Sequence, residues 1–227
     1  GILREYKPMM REFWREVLFG SLDERYFRLI NRSSDMEKEI DWGELNKEHV
    51  FESFRKIFLN KANVRQGAYF DHMTHFDFKT LLPALLQVED RMSMAHGLES
   101  RVPLLDHELV ELIATAPADI KFSGGNMKHL LKQTYQGTLP DTILNRRDKM
   151  GFPVPLKEWL GNELKDMVQD IFYGMKQKNR PFINSDEVLS NFQSAGRFSR
   201  KVWSLMSLEI WHQTFHDRNH YFKSLLN

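Results

Sequence analysis

The chain has 227 residues without a cysteine, and its 32 Lys and Arg nearly balance its 31 Asp and Glu, which leaves a net charge of +1. The absence of thiols excludes a disulfide framework, a cysteine nucleophile and a zinc–thiolate site in this chain, and the charge balance gives no reason to expect nucleic acid or an acidic membrane as a partner. No apolar run approaches the ~20 residues of a membrane span and no signal peptide is visible, so we expect a cytoplasmic protein.

Helical periodicity describes the first part of the chain. Apolar residues recur four apart from Pro8 to Phe19, which predicts a helix. Ser21 and Glu24 have the spacing of a capping box, so a second helix is predicted from residue 22 to about residue 31. Residues 31–45 are polar and predict a surface loop with a short turn.

Three more helices are predicted before residue 97. Asn46 is placed to cap a helix through Leu59, and its inward apolar residues are expected to be Val50, Phe51, Phe54, Ile57 and Phe58. A fourth helix is predicted from about residue 68 to residue 82. Pro83 interrupts a helical hydrogen-bond ladder, so we expect a break there, a restart at residue 84 and an end near Gly97.

Turn residues divide the next stretch. Pro103 biases residues 102–105 toward extended backbone, and Asp106 stands at an N-cap position before a helix that Ala116-Pro117 ends. Asn126 is predicted to cap a helix through Gln136, and Pro140 opens a single turn to residue 144.

The last part predicts three helices, at 156–175, at 186–193 behind a capping box of Asn184 and Glu187, and at 198–215. The last of these is so apolar that we expect it to be wholly buried. Because no alternating strand pattern is visible, the sequence predicts an all-α fold of roughly ten helices in a single multi-helix domain over residues 1–227.

The run Ser123-Gly124-Gly125-Asn126 has the small residues of a phosphate-binding loop, whose backbone N–H groups cradle an anion at a helix N-terminus. The Walker pattern is absent, however, and only the weak run 120–122 precedes it as a candidate strand. The sequence therefore favours a plain turn between two helices.

Two groups of histidines have spacings that place their imidazoles on one helix face: His72 with His75, and His212 with His216 and His220. No third ligand beside the first pair is fixed by the sequence, and surface or interface histidines are the commoner outcome for the second group. We therefore assign no metal ligand.

Charged residues concentrate at turns within residues 88–159, which favours a cleft over an outer helix face. Glu99 and Arg101 flank Ser100 between a helix end and the proline-bound run. If both are buried they need each other, because an unpaired buried charge is costly. An ion pair that braces the turn and a role in function both stay open.

A cationic loop follows, with Arg146, Arg147 and Lys149 ahead of Gly151-Phe152-Pro153. Exposed, such a loop is simply solvated. Facing a cleft, it suits polyphosphate, because arginine offers a fork of donors and lysine a point charge.

Several of these motifs, in this order, resemble the C-terminal part of the glutamine-dependent asparagine synthetase family. They are DRMSMAHGLESRVPLLDHELVE at 90–111, the lysine of KHLLK at 128–132, LPDTILNRRDKMGFPVPLKEW at 139–159 and the closing WSLMSLEIW at 203–211. The resemblance is dense from residue 83 to residue 159 and looser over residues 6–80.

The resemblance implies the helical C-terminal portion of an adenine-nucleotide α-hydrolase-like (ATP pyrophosphatase) synthetase domain. In that family a glutaminase supplies ammonia, and the synthetase domain uses ATP and Mg²⁺ to convert aspartate to an acyl-adenylate, from which ammonia displaces AMP to give asparagine. It further implies an amidotransferase-type ligase whose partners are the nucleotide-binding half and the glutaminase domain of its own polypeptide, with a homodimer left open.

Carried over residue by residue, the resemblance makes Lys149 the catalytic lysine, whose fixed charge stabilises the phosphates and the adenylate. It makes Arg146, Lys128 and Arg101 nucleotide-binding residues. Four residues that match the family's DR and LExRxPxLD motifs shape the floor of the cleft: Asp90, Arg91, Glu99 and Asp106.

The departures from the family pattern are as informative. The SGGxDS pyrophosphatase loop and the acidic GxGSDE-like motif are missing, and Lys132 stands where the family usually has arginine. The chain opens at Gly1, just after the place of that acidic motif. We therefore expect a piece of a longer polypeptide, with no ATP or Mg²⁺ bound to the piece and no activity of its own.

Two alternatives stay open. A relative of this family acting on another carboxylate would close β-lactams, cyclise lasso peptides or amidate surface polysaccharides. A chain of a different class would be a free-standing, non-catalytic helical binding module descended from the synthetase.

Overall fold

A computed structural model describes residues 20–65, 67–124, 126, 128–146, 154–194 and 200–226. These residues are mostly helical and contain no β-strand, only isolated bridges, which confirms the all-α prediction for the described part. Its α-helices are α1 (Leu22–Ile30), α2 (Lys47–Phe58), α3 (Tyr69–Lys79), α4 (Leu81–Met94), α5 (His107–Thr115), α6 (Ala118–Lys121), α7 (His129–Thr134), α8 (Asp141–Leu144), α9 (Leu156–Gly161), α10 (Lys165–Lys178), α11 (Ser185–Ser194), α12 (Arg200–Trp211) and α13 (Asn219–Ser224).

Two 3₁₀ turns, Ser33–Met36 and Pro103–Leu105, and one π turn, His212–His216, complete the regular backbone of the described residues. None of the described helices is long and apolar enough to cross a membrane. The helix predicted over residues 8–19 lies outside the described residues.

Side-chain caps place the ends of the early helices as predicted. The backbone N–H of Ser21 donates to Glu24 Oε2 at 2.8 Å, which is one half of a capping box at the start of α1. Asn46 Oδ1 accepts the backbone N–H of His49 at 2.9 Å at the start of α2. Local polar chemistry therefore fixes both of these helix starts.

Two predicted helix boundaries were wrong. The break between α3 and α4 falls at Thr80, and Pro83 lies in the first turn of α4, where a missing N–H costs no helical hydrogen bond. The helix predicted over 156–175 is two helices, α9 and α10. Between them Gly161, a poor helix former, ends α9, and the side chain of Asn162 donates to the Glu158 carbonyl at 3.0 Å.

The described residues fall into two compact units. Unit 1 holds the described residues up to 30 and from 50 to 146, and unit 2 holds residues 31–49 and the described residues from 154 onward, so one boundary falls within α2. The physical reason is that the buried apolar side chains form two separate clusters, one in each unit.

The core of unit 1 is aromatic. Phe58 is fully buried and stacks on Tyr26, with ring centroids 5.2 Å apart, and on Phe54 at 5.1 Å. Phe76 of α3 meets Phe54 edge-on at 5.0 Å, and the Tyr26 hydroxyl donates to Asp77 Oδ1 at 3.0 Å. Burial and this carboxylate raise the pKa of Tyr26 well above its usual range. The cluster thus ties α1, α2 and α3 together.

Not every apolar residue of these helices joins that core. Val50, predicted to point inward, is 57% exposed, and Ile30 is 39% exposed. Both lie at a helix end, where periodicity alone assigns a face to a residue that has no neighbouring element to cover it.

Unit 2 is built around α10, α11 and α12. Its fully or nearly fully buried side chains include Val168, Phe172, Met175, Val188 and Leu205. The Asn184 Oδ1 accepts the Glu187 backbone N–H at 3.3 Å, as predicted for the start of α11. Packing of these three helices accounts for most of the core.

The segment 31–45, predicted as a surface loop, contributes to this core. Ile40 is buried and forms an isolated antiparallel bridge with Ile183. Glu39 is fully buried, and its Oε1 accepts Lys201 Nζ at 2.8 Å and Asn191 Nδ2 at 2.5 Å. The polar composition of this segment did not reveal its burial, because the partners that neutralise its buried Glu39 carboxylate are far away in sequence.

The prediction that the last long helix is wholly buried was also wrong. Leu205 and Met206 are buried, but Trp203 and Trp211 are each 47% exposed. The apolar residues of α12 surround the helix, and only the side that faces α10 and α11 finds a partner among the described residues.

A buried guanidinium joins the loop after α10 to α12 and the π turn. Arg180 donates to both carboxylate oxygens of Glu209, at 2.9 and 2.7 Å, and to both of Asp217, at 2.9 Å each. The Arg180 side chain is 8% exposed and that of Glu209 is fully buried. Because removing one partner leaves a buried charge uncompensated, this triad is expected to be intolerant of single substitutions.

Phe58→Ala and Val50→Ala make a matched pair in α2. Loss of the buried Phe58 ring leaves a cavity, and we expect about 3–5 kcal/mol of lost stability, whereas Val50→Ala removes exposed methyls and should change stability by no more than about 0.5 kcal/mol. Urea unfolding of the two variants checks this. Equal losses would contradict the packing described for α2.

Asp217→Asn tests the ion pair through its pH dependence. Hydrogen bonds from Arg180 lower the pKa of Asp217 from 3.8 to about 2. Because the folded pKa lies below the unfolded one, the stabilisation is present above pH 3.8 and is lost as the pH falls toward 2. The wild type should therefore exceed the variant in stability at pH 7, and thermal unfolding from pH 7 to pH 2 should show that most of this advantage is lost. An advantage at pH 2 as large as at pH 7 would refute the assignment.

Candidate functional site

The predicted site begins where α4 ends. Residues 95–97 form a turn in which Gly97 has a φ of +69°, a conformation that favours glycine. An irregular strap, residues 98–102, then leads to the 3₁₀ turn. Ser100 Oγ donates to Glu89 Oε1 at 3.2 Å, so the strap is joined to the last turns of α4 by a side chain eleven residues earlier.

The charged residues of this region pair locally. Arg101 Nη2 lies 2.9 Å from Glu99 Oε2, and Arg91 Nη1 lies 2.8 Å from Asp90 Oδ2. Burial of the first pair, one of the two cases weighed from the sequence, does not hold: its side chains are 78% and 68% exposed. Exposed pairs of this kind contribute little to stability, so both cations can exchange their carboxylate for another anion at low cost.

Asp106 has an identifiable structural role. Its Oδ1 accepts the backbone N–H groups of Glu108 at 3.1 Å and Leu109 at 3.3 Å, which makes it the N-cap of α5 as predicted. The carboxylate therefore orients the helix that follows the strap.

The loop before α7 differs from its prediction. Asn126 does not cap the helix, because its backbone N–H donates to the Ser123 carbonyl at 3.0 Å and closes a tight turn. α7 begins at His129, and Lys128 precedes it with a left-handed φ of +58° and an exposed side chain. A non-glycine residue in the left-handed backbone conformation costs about 1–3 kcal/mol of local strain.

The described residues bring only part of the predicted set together. Arg146 is exposed, and its backbone N–H donates to the Ile143 carbonyl at 3.3 Å just after α8. Lys149, the predicted catalytic residue, and Arg147 lie outside the described residues.

The histidine pair of α3 lies among structural contacts. His72 is buried with its Nδ1 2.6 Å from the Phe58 carbonyl oxygen, and the neighbouring Asp71 lies 3.3 Å from Lys121 Nζ. Burial lowers the pKa of His75. Within the described residues no group of three or more His, Asp or Glu side chains is arranged to hold a metal ion.

The feature that sequence reasoning missed is an exposed apolar surface on the helices that carry the site. α4 to α8 contain no buried residue. Large apolar side chains that are more than half exposed in these helices, or in the strap and 3₁₀ turn between α4 and α5, include Leu85, Val88, Met92, Leu98, Leu104 and Leu112. We call this the open surface of unit 1. Helical periodicity predicted the apolar faces of these helices. It gave no sign that these faces would remain uncovered by the other described residues.

The family of this chain follows from its similarity to known proteins. The family model for asparagine synthase matches residues 3–213, which is most of the chain. The chain belongs to the asparagine synthase family.

Several similar proteins are glutamine-hydrolysing asparagine synthetases by name. One from Bacillus subtilis is 34% identical over 145 residues, 62% of this chain and 22% of that protein. A second Bacillus subtilis protein is 44% identical over 63 residues, 28% of this chain and 10% of that protein. One from Gallus gallus is 32% identical over 102 residues, which are 41% of this chain and 18% of that protein. The matched region thus spans about a fifth of these relatives or less, and no solved structure matches the chain.

Family membership confirms the recognised motifs but does not assign their roles. The strap, the capped α5 and the cationic residues before and after it lie inside the matched region. Their described geometry is that of exposed, weakly paired charges beside an uncovered apolar surface.

Asp106→Ala and Asp106→Asn separate structure from chemistry at this position. Loss of the N-cap should destabilise unit 1 by about 1 kcal/mol, whereas asparagine also caps well and should retain most of the stability. Chemical denaturation of both variants measures the difference. If Asp106→Asn proves as destabilised as Asp106→Ala, capping is not what the carboxylate contributes.

Proposed function

We propose that this chain is the C-terminal portion of the synthetase domain of an ATP-dependent amidotransferase. The complete polypeptide converts aspartate, ATP and glutamine-derived ammonia to asparagine, AMP and pyrophosphate through an acyl-adenylate. The observation that carries the proposal is the family match over residues 3–213, supported by relatives that are named glutamine-hydrolysing asparagine synthetases.

Lys149 is the proposed catalytic residue. A fixed ammonium group beside the α-phosphate stabilises the negative charge that develops there and on the departing pyrophosphate. The assignment rests on the family motif, in which Lys149 follows the arginine pair 146–147.

Arg101, Lys128 and Arg146 are the proposed nucleotide-binding residues. Arg101 has a carboxylate partner, Glu99, that it holds in an exposed pair. A phosphate offers the same planar guanidinium a bidentate partner with more charge, so exchange of Glu99 for a phosphate is favourable in a cleft. Lys128 projects from a strained backbone position in the loop before α7.

Asp90, Arg91, Glu99 and Asp106 are proposed to shape the floor of the cleft. The contacts that support this are local: the Asp90–Arg91 pair, the Glu99–Arg101 pair and the Asp106 cap of α5. The hydrogen bond from Ser100 to Glu89 adds a fixed distance between α4 and the strap.

The partner proposed for the open surface is the remainder of the same polypeptide. Isolated proteins rarely expose apolar patches larger than a few hundred Å², yet all five helices α4 to α8 lack a buried residue. The relatives are several times longer than the matched region. A second wall, packed on α4 to α8, would cover the apolar side chains and close the cleft over the cationic residues.

No residue of this chain is assigned to Mg²⁺, because the described residues provide no cluster of ligands. The metal ligands and the glutaminase are proposed to lie in the remainder of the polypeptide. The 227-residue chain by itself is therefore expected to release no pyrophosphate from ATP and aspartate.

Lys149→Met in the polypeptide encoded by the complete open reading frame tests the proposal. Removal of the charge should abolish asparagine formation and pyrophosphate release with ammonia as donor, while glutamine hydrolysis continues. Lys132→Met, which removes a lysine near Lys128 that is given no role, serves as the matched control and should keep most of the activity.

Three results would count against the proposal. An active Lys149→Met enzyme would remove the catalytic assignment. A wild-type enzyme that amidates or cyclises another carboxylate, with no asparagine formed, would keep the family and replace the substrate. A complete reading frame without a glutaminase or a pyrophosphatase loop would favour a helical binding module.

A further inference from the structure

The chain closes with a segment that leaves the core of unit 2. Buried residues follow α12 at helical spacing and end at the π turn: Val202, Leu205, Met206, Glu209 and His212. No residue of 213–226 is buried. We call residues 213–226 the C-terminal segment.

The end of the buried stripe coincides with the end of the family match. The asparagine synthase model stops at residue 213, one residue beyond His212. The C-terminal segment, apart from its first residue, therefore follows the part of the chain that the family accounts for. Neither the packing of unit 2 nor family membership explains its composition.

That composition is unusually apolar for exposed backbone. The segment has five large apolar side chains that are each at least 37% exposed, and two of them are 65% and 87% exposed: Phe215, Tyr221, Phe222, Leu225 and Leu226. Phe222 lies in α13, and Leu225 and Leu226 follow directly after the helix ends at Ser224, three and four residues beyond Phe222. An exposed apolar surface of this kind calls for a partner.

The charge of the segment is exclusively positive once its contacts are considered. Its one acidic side chain, Asp217, accepts hydrogen bonds from Arg180 on both oxygens and lies 3.7 Å from Lys178 Nζ, so Arg180 and Lys178 together balance Glu209 and Asp217. Arg218 and Lys223 remain, and the Arg218 guanidinium lies 5.1 Å from the Tyr221 ring centroid and 5.5 Å from that of Phe222. Cations thus sit beside the exposed rings with no carboxylate of the segment left to balance them.

This charge distribution distinguishes between occupants. Two copies of the segment, packed face to face, would bring like charges together, which disfavours a second copy. Aromatic rings, leucines and flanking Arg or Lys are the composition of helices that lie in the interface of an anionic bilayer, where rings enter the headgroup region and long basic side chains reach the phosphates.

We propose that the C-terminal segment docks on an anionic phospholipid surface. Phe222, Leu225 and Leu226 enter the acyl boundary, while Arg218 and Lys223 contact headgroup phosphates. The whole-chain charge of +1 conceals this property, because the local positive excess exists only when Arg180 and Lys178 balance Glu209 and Asp217.

Co-sedimentation of the 227-residue chain with vesicles tests the proposal. Vesicles of phosphatidylcholine and phosphatidylglycerol in equal parts should bind the chain in low salt. Vesicles of phosphatidylcholine alone should bind it far less, and high salt should release it, because the Debye length shortens.

Two variants, each with a matched control in unit 1, locate the contact. Phe222→Ser should lower the partition coefficient roughly five- to tenfold, whereas Phe78→Ser, at a similarly exposed phenylalanine, should leave it unchanged. Arg218→Gln with Lys223→Gln should lower it about thirtyfold, since each basic residue near the surface contributes about a factor of five. Lys56→Gln with Lys79→Gln removes the same charge elsewhere and should have a far smaller effect.

The outcomes are separable. Absence of binding to anionic vesicles overturns the proposal, as does binding that both segment variants leave intact. Light scattering of the chain in solution adds a third readout: a dimer that Phe222→Ser dissociates would show that a second copy covers the segment. Circular dichroism of each variant confirms that the helices are retained.

Discussion

Short helices depend on their neighbours, and this constraint governs the molecule. The longest described helices, α4 and α10, have 14 residues each, and helices of this length are marginal in water by themselves. In unit 1 the aromatic cluster around Phe58 supplies the packing for α1, α2 and α3. In unit 2 the faces of α10, α11 and α12 supply it for one another, and Arg180 secures the turn that follows.

The helices that carry the candidate site have little such support among the described residues. Nothing in α4 to α8 is buried, and the ion pairs beside the strap are exposed. The Lys121–Asp71 ion pair joins α6 to α3, and the strap is organised by local contacts: a glycine turn at Gly97, the Ser100–Glu89 hydrogen bond and the Asp106 cap. A site of this kind is poised to be completed by another surface, which agrees with a match that covers about a fifth of its relatives.

Two regions of the molecule place weakly paired cations beside exposed apolar side chains. In unit 1 these cations lie next to the apolar helices α4 to α8, and we propose that they bind phosphates and that the remainder of the polypeptide covers the helices. In the C-terminal segment Asp217 is paired with Arg180 and Lys178, and unbalanced cations again lie next to apolar rings. In both regions the charge available to a ligand can be assigned only when the ion pairs are known, because a paired charge is less available than an unpaired one.

The sequence by itself determined the helical class, the family motifs and those features that depend on neighbours in the chain. The caps at Asn46, Asp106 and Asn184 were predictable because the capping oxygen and the backbone N–H that donates to it are two or three residues apart. Only the tertiary structure decided that the core divides into two clusters, that Glu39 is buried opposite Lys201 in the polar segment 31–45, and that Val50 is exposed. These features depend on contacts between residues far apart in sequence, and periodicity gives a helix its apolar face without saying what will cover it.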